Sequence, residues 1–275
     1  MEERLLALEI VTSEFFQRAL IGGVLIGITA PLMGLFLVLR RLSMIGDTLS
    51  HVAIAGVALG YLIGVYPIAA GLVFAIAASF AIEKLRKAYK TYAELSLAII
   101  MSGGIALASL LFTMGRSFMD VNSYLFGSIY TLDGTDLYTI GAVTLVVLLV
   151  VGLQAKELFL LSFDEEAASV SGLPVRFYNV MISVLTALVI SVAIKIVGAL
   201  LVSALLTIPA ACSLIIARSF KQSIVAVVVI GELAVIGGLM IAGVWNLAPG
   251  GTVVLLLIAI LLLLLTFRRS LRLGG

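Results

Sequence analysis

The sequence predicts an all-α integral membrane protein, a polytopic bundle of about nine spanning helices (eight to nine). Three observations carry that prediction. Apolar residues make up 63% of the 275-residue chain and charged ones only 12%, whereas a soluble domain is roughly 45–50% apolar. The apolar residues gather into stretches near 20 residues, the length that crosses about 30 Å of hydrocarbon. The charges fall between those stretches, and thirteen of the 17 lysines and arginines lie on one side of the alternation. By the positive-inside rule that side is cytoplasmic, which puts the N-terminus outside and the C-terminus inside.

The first stretch, 16–39, follows the acidic start Met1-Glu2-Glu3-Arg4 and ends at Arg40-Arg41. No basic region of a cleavable signal precedes it, so this span is expected to direct insertion itself. The second and third, 47–64 and 67–83, are short and joined by Gly64-Val65-Tyr66-Pro67, which reads as a tight turn. Lys84, Arg86, Lys87 and Lys90 mark the next basic connection. The fourth and fifth stretches, 94–114 and 135–153, flank an outer loop. In that loop Asp120 and Asn122 either gather cations or are simply solvated. After a connection at about 154–174 come 175–194, 196–217, 222–244 and 250–267. The seventh carries Pro209, which removes a helix hydrogen bond and predicts a kink or break usable in gating. Residues 1–275 thus read as a single transmembrane domain without a soluble appendage.

Several functions are excluded. A net charge of +2 gives no reason to expect nucleic acid, and the single cysteine, Cys212, rules out an intramolecular disulfide or cysteine cluster. That cysteine reads as a packing residue. No phosphate-binding G-x-x-x-x-G-K-[ST] loop occurs, so ATP is not bound in that way, and one histidine leaves no nucleophile set of an enzyme.

The chemistry-bearing residues are few. Asp47-Thr48-Leu49-Ser50-His51 puts a carboxylate and the only histidine four residues apart in an apolar stretch. In a helix they share a face, and a carboxylate oxygen and an imidazole nitrogen are ligands for one divalent cation. An Asp at the centre of a membrane helix costs roughly 2.5–3.5 kcal/mol, so the pair needs a function. The alternatives are that Asp47 caps a helix start and that His51 is a hydrogen-bonded group inside the bundle. Glu232 is a further intramembrane carboxylate: a third ligand, a proton site, or the partner of a lysine such as Lys195. Ser162-Phe163-Asp164-Glu165 reads as a capping box. Gly172 and Pro174 then end a short helix over 162–172, with Glu165 and Glu166 on its acidic edge. Such a helix is either displayed to a soluble partner or folded against the chain's own loops.

These residues resemble a known family. Arg40-Arg41-Leu42-Ser43-Met44-Ile45-Gly46-Asp47-Thr48-Leu49-Ser50-His51, with Gly56-Val57-Ala58, is similar to the membrane subunit of bacterial zinc/manganese ABC importers. So are Tyr124-Leu125-Phe126-Gly127-Ser128, Ser162-Phe163-Asp164, Gly172-Leu173-Pro174-Val175, Val197-Gly198-Ala199-Leu200-Leu201, Ile208-Pro209-Ala210-Ala211 and Pro249-Gly250-Gly251-Thr252. The resemblance implies a multi-pass permease of the cell membrane that works as a dimer. A separate ABC ATPase drives it, and an extracytoplasmic binding protein delivers the metal. It implies that Asp47 and His51 contact the ion, and that the helix bearing Phe163, Asp164, Glu165, Glu166 and Gly172 couples to the ATPase. No cofactor is expected. The cargo is a divalent ion, zinc by the closeness of the Arg-Arg to His run, manganese next, iron third. The rival reading is an ATP-independent secondary transporter or channel that uses the same Asp/His pair.

Overall fold

The computed structural model describes residues 13–89, 92–115, 123–128, 130 and 132–273. These form α1 (Glu14–Leu39), α2 (Met44–Ile63), α3 (Pro67–Ala88), α4 (Ala93–Met114), α5 (Gly134–Leu153), α6 (Ala155–Phe163), α7 (Glu165–Val170), α8 (Val175–Val197), α9 (Val202–Ile216), α10 (Phe220–Trp245) and α11 (Pro249–Leu273). Among the described residues there is no strand. Asp120 and Asn122 lie outside the described residues.

Local chemistry explains the helix ends. Gly64, left-handed at φ 72°, stops α2, and Pro67 opens α3 at a position where its missing N–H costs nothing. Asp133 caps α5 by accepting from the Asp136 amide at 2.8 Å, while Asp136 accepts from the Asp133 amide at 2.9 Å. These bonds hold the Asp133 carboxyl below its ordinary value. Ser219 accepts from the Gln222 amide to start α10, and Asn246 ends that helix in the left-handed region.

Among the described residues, eight helices are long and apolar enough to cross a membrane. The seventh predicted span is the exception. Residues 196–217 do not form one helix: α8 runs on to Val197, the chain breaks at Gly198, and α9 has only 15 residues, about 22 Å at 1.5 Å per residue. The two ends of α9 nonetheless lie at opposite ends of the bundle. Its start follows the Gly198 turn, and its end leads to Phe220, whose ring packs against Phe36, Phe159 and Phe163. Pro209 is not the break. Helix α9 is continuous through it, and the interruption lies eleven residues earlier, at Gly198.

That interruption is filled by a distant segment. The amides of Ala199 and Leu200 donate to the carbonyls of Tyr124 and Leu125 (2.9 and 3.2 Å), and the Ser128 amide donates to the Lys195 carbonyl (3.0 Å). Three glycines permit this approach. Gly127 has φ 79°, and a Cβ there would lie 2.1 Å from the Ile196 carbonyl oxygen. Gly198 (φ 89°) meets the backbone of 125–127, and a Cβ on Gly250 would stand 1.8 Å from the Val197 carbonyl oxygen. Three of the sequence runs that carried the resemblance, around Gly127, Gly198 and Gly250, therefore meet at one place.

The polar connections sort to two ends. One holds Arg40, Glu83, Arg86, α7 and Phe220; the other holds Asp136, Lys195 and the glycine crossing. Helices α1, α2 and α8 form the interior, whereas α4 and α11 expose most of their apolar surface.

Gly127→Ala is expected to destabilise the protein by at least about 1–3 kcal/mol, the cost of forcing a side chain into a left-handed position. Thermal unfolding in detergent, compared with Gly141→Ala on open surface, measures this.

Candidate functional site

Asp47 and His51 lie on the first two turns of α2, on one face as the spacing requires. His51 Nε2 stands 3.8 Å from Asp47 Oδ1. That is too long for a hydrogen bond, so the two groups do not satisfy each other. It is close to the separation of two ligands on one tetrahedral ion, about 3.4 Å for bonds near 2.0–2.1 Å. Asp47 does not cap the helix: Ser43 holds the N-cap position, and Asp47 sits in the first turn, where the helix dipole favours a negative charge. The side chains are 33% and 19% exposed, so the pair is reachable. His51 opens into a groove of about 380 Å³ between α2 and α4, lined by Ile54, Ser109, Phe112 and Thr113 and closed by Leu125 and Leu200 from the glycine crossing.

Glu232 is not brought to this pair. It lies on α10 against Gly27 of α1, its Oε1 2.8 Å from where a Cβ of that glycine would be. Neither of its carboxylate oxygens meets a donor. Among the described residues no group of three or more His, Cys, Asp or Glu gathers to hold a metal. Lys195 is not its partner. It forms an ion pair with Asp136, a wholly buried carboxylate that also accepts from the Tyr66 hydroxyl. Sequence reasoning missed this cluster, whose members come from α5, α8 and the α2–α3 turn. Cys212 is buried, as a packing residue would be.

The short helix is real but starts later than the capping box implied. Ser162 belongs to α6, where its hydroxyl donates to the Leu158 carbonyl at 2.6 Å. Asp164 is the cap of α7 and accepts from the Ala167 amide at 2.8 Å. The far end matches expectation: with Gly172 at φ 82°, its amide donates to Ser169 and that of Leu173 to Ala168, a Schellman closure. The helix offers Glu166, Ser169 and Val170 outward, the last 90% exposed, with Phe163 and Phe177 bare beside it. Glu165 turns partly inward instead. Its Oε2 accepts from Arg40 Nη2 at 3.2 Å, and its Oε1 lies 3.4 Å from Asn179 Nδ2. Arg40 is almost wholly buried, which lowers its guanidinium pKa, and Glu165 opposes that shift.

A bundle with apolar outer faces, a reachable donor pair and a capped helix protruding at one end falls in the class of multi-pass membrane transport subunits. A model of the ABC 3 transport family matches residues 12–268, and the chain belongs to that family. It is 33% identical over 241 residues to the manganese import system permease protein ScaB of Streptococcus gordonii, covering 88% of this chain and 87% of that one. It is 34% identical over 241 residues to the high-affinity zinc uptake system membrane protein ZnuB of Haemophilus influenzae, covering 87% and 92%. The solved structure of PsaBC from Streptococcus pneumoniae in complex with Fab superposes with a TM-score of 0.88 at 31% identity, covering 98% and 99%. The chain is a permease subunit rather than an enzyme.

Lys195→Met is expected to cost about 3–5 kcal/mol, because it strands the buried Asp136 carboxylate. Lys195→Met with Asp136→Asn should recover most of that loss in the same detergent unfolding measurement.

Proposed function

We propose that this chain is the membrane-spanning subunit of an ATP-driven importer of a divalent transition metal, with Asp47 and His51 as the ligands that the ion meets on its way. The observation that carries the reading is the donor pair, 3.8 Å apart and partly exposed, with His51 opening into a groove. The names of the relatives support it, one a manganese permease and one a zinc uptake protein. Their identities to this chain are nearly equal, and one carboxylate with one imidazole suits either ion. Zinc is favoured by the Arg40 to His51 run and manganese comes second.

Two donors are fewer than the four ligands of a settled zinc site or the six of manganese. A passing ion needs only brief capture, and a second copy of the chain would supply a matching pair. Metal reaches the outer end from a binding protein. The basic end, with Arg40, Arg86 and α7, faces the cytoplasm, and there an ATPase docks on α7. Phe163, Glu166 and Val170, with Phe177, supply the contact: exposed apolar side chains rimmed by polar ones mark a protein interface. Gly172 closes that helix and fixes its shape. Pro209 sits on α9, between the glycine crossing and Phe220, where a helix short of one hydrogen bond bends most easily.

Uptake into proteoliposomes holding this chain, its ATPase and its binding protein, with zinc, manganese or iron supplied, tests the reading. ATP-dependent uptake should fall roughly tenfold or more in His51→Ala, since loss of a supporting group alone costs 10–100-fold in metal affinity. Uptake by this chain alone without ATP overturns the proposal in favour of a secondary transporter.

Val170→Asp puts a charge on the exposed face of α7 and is expected to abolish co-purification of the ATPase while leaving the melting temperature of the permease unchanged. Retained ATPase in that variant removes α7 from the docking surface.

A further inference from the structure

Glu165 has two claimants, and neither is fully satisfied. Arg40 uses Nη2 on Oε2, while Arg40 Nη1 is buried without a partner. Asn179, on the first turns of α8, reaches Oε1 only at 3.4 Å, and its own Oδ1 is buried without a partner. A cavity of about 170 Å³ lined by Arg40, Arg41, Ser162, Phe163 and Glu165 leaves room for α7 to shift. Movement toward Arg40 brings Nη1 to Oε1, forms the two-pronged guanidinium–carboxylate pair and releases Asn179. Movement the other way shortens the Asn179 bond and strips Arg40. Glu165 thus holds α1 on one carboxylate oxygen and α8 on the other, so a shift of α7 tightens one bond as it loosens the other.

Each claimant connects to the Asp47/His51 region through continuous chain, Arg40 by the tight corner before α2 and Asn179 along the length of α8. Arg40 ends α1, and the corner after it is held by Arg41 to Val38 (3.0 Å), Leu42 to Leu37 (2.7 Å) and Ile45 to Leu42 (2.9 Å) bonds. Arg41 is left-handed there, at φ 57°. A displacement of Arg40 therefore passes into the first turn of α2, where Asp47 lies. Asn179 belongs to α8, whose far end carries Gly198 and then Leu200, a wall of the groove that holds His51. We infer that Arg40, Glu165 and Asn179 form the relay by which the position of α7 sets the geometry of the Asp47/His51 pair and the wall facing it. Glu165 then serves the inside of the subunit, while Glu166, Val170 and Phe163 serve the partner. This rests on the reading of α7 as the ATPase docking helix.

The test is metal moved per ATP hydrolysed in proteoliposomes of the complete complex, with co-purification of the ATPase as the control for docking. Arg40→Gln and Glu165→Gln should keep the ATPase bound and hydrolysing while metal per ATP falls on the order of tenfold, the usual size of a coupling between sites. The exchanged pair Arg40→Glu with Glu165→Arg should restore part of the loss. Arg40→Lys, which keeps the charge but not the fork, should fall between wild type and Arg40→Gln; it carries the test if Arg40→Gln does not fold. Unchanged metal per ATP in Arg40→Gln or Arg40→Lys overturns the relay, as does loss of the ATPase in parallel with uptake. Absence of ATP-driven uptake in the wild-type complex overturns the importer reading itself, a result visible before any variant is compared.

Discussion

Hydrocarbon offers a peptide group nothing to bond to, so every amide and carbonyl inside an apolar bundle must find its partner in the chain. Helices satisfy this rule by themselves, and a break in a helix does not. The interruption at Gly198 is possible only because residues 124–128 lie alongside and supply acceptors for Ala199 and Leu200 and a donor for the Lys195 carbonyl. Close backbone contact of that kind leaves no room for a Cβ, hence glycine at 127, 198 and 250. Other parts of the structure follow from this crossing. It shortens α9, and it places Leu125 and Leu200 in the wall of the groove that holds His51. The backbone constraint and the candidate site are thus one construction, with the side chains that flank the glycines forming part of the groove beside His51.

Buried charge imposes the second constraint. Arg40 and Lys195 lie at opposite ends of the bundle, each nearly inaccessible, and each is held by a carboxylate from a different element. Removing the carboxylate strands a buried cation in either pair, whereas removing the cation strands a buried carboxylate only at Asp136, since Glu165 is 56% exposed. The two pairs differ in kind. Asp136 is saturated: it takes Lys195, the Tyr66 hydroxyl and the Asp133 amide, and it fixes three elements in one arrangement. Glu165 is half exposed, with one oxygen on Arg40 and the other 3.4 Å from Asn179. A rigid clamp at one end and an adjustable one at the other is the distribution expected where one end is driven and the other serves as its fixed reference.

What the sequence made legible follows from which interactions are local. Hydropathy marked nine stretches because spanning length is a property of contiguous residues. The Asp47/His51 pair was legible because four-residue spacing in a helix is enough to place both on one face. The Gly172 stop was legible for the same reason. The start of the short helix was not. Ser162 and Asp164 can both cap, and Ser162 has a competing acceptor one turn back in α6, the Leu158 carbonyl. Helix α6 itself was too short and too polar to register as more than a connection. The partners of Lys195 and Glu165, and the isolation of Glu232, depend on chain segments tens of residues apart. The break at Gly198 was hidden because its neighbours are as apolar as a span; only the match of glycines at 127, 198 and 250 marks it.

A transport site must hold its ion poorly. On the role proposed for Asp47 and His51, a pair with no third group among the described residues, 3.8 Å apart and partly exposed, would meet that demand by its incompleteness. In that role its selectivity would be low, since any ion that accepts one carboxylate and one imidazole fits. Discrimination between zinc and manganese then lies with whatever presents the ion and with the width of the groove, which the wall residues Leu125 and Leu200 set. Those residues belong to the glycine crossing, and the crossing is tied through α8 to Asn179. The element that shapes the space around the ion is therefore the one connected to α7. On that proposal, incompleteness at the pair and the two-sided bonding of Glu165 are complementary: a weak site would release its ion after a small change of geometry, and a small shift of α7 between Arg40 and Asn179 would deliver one.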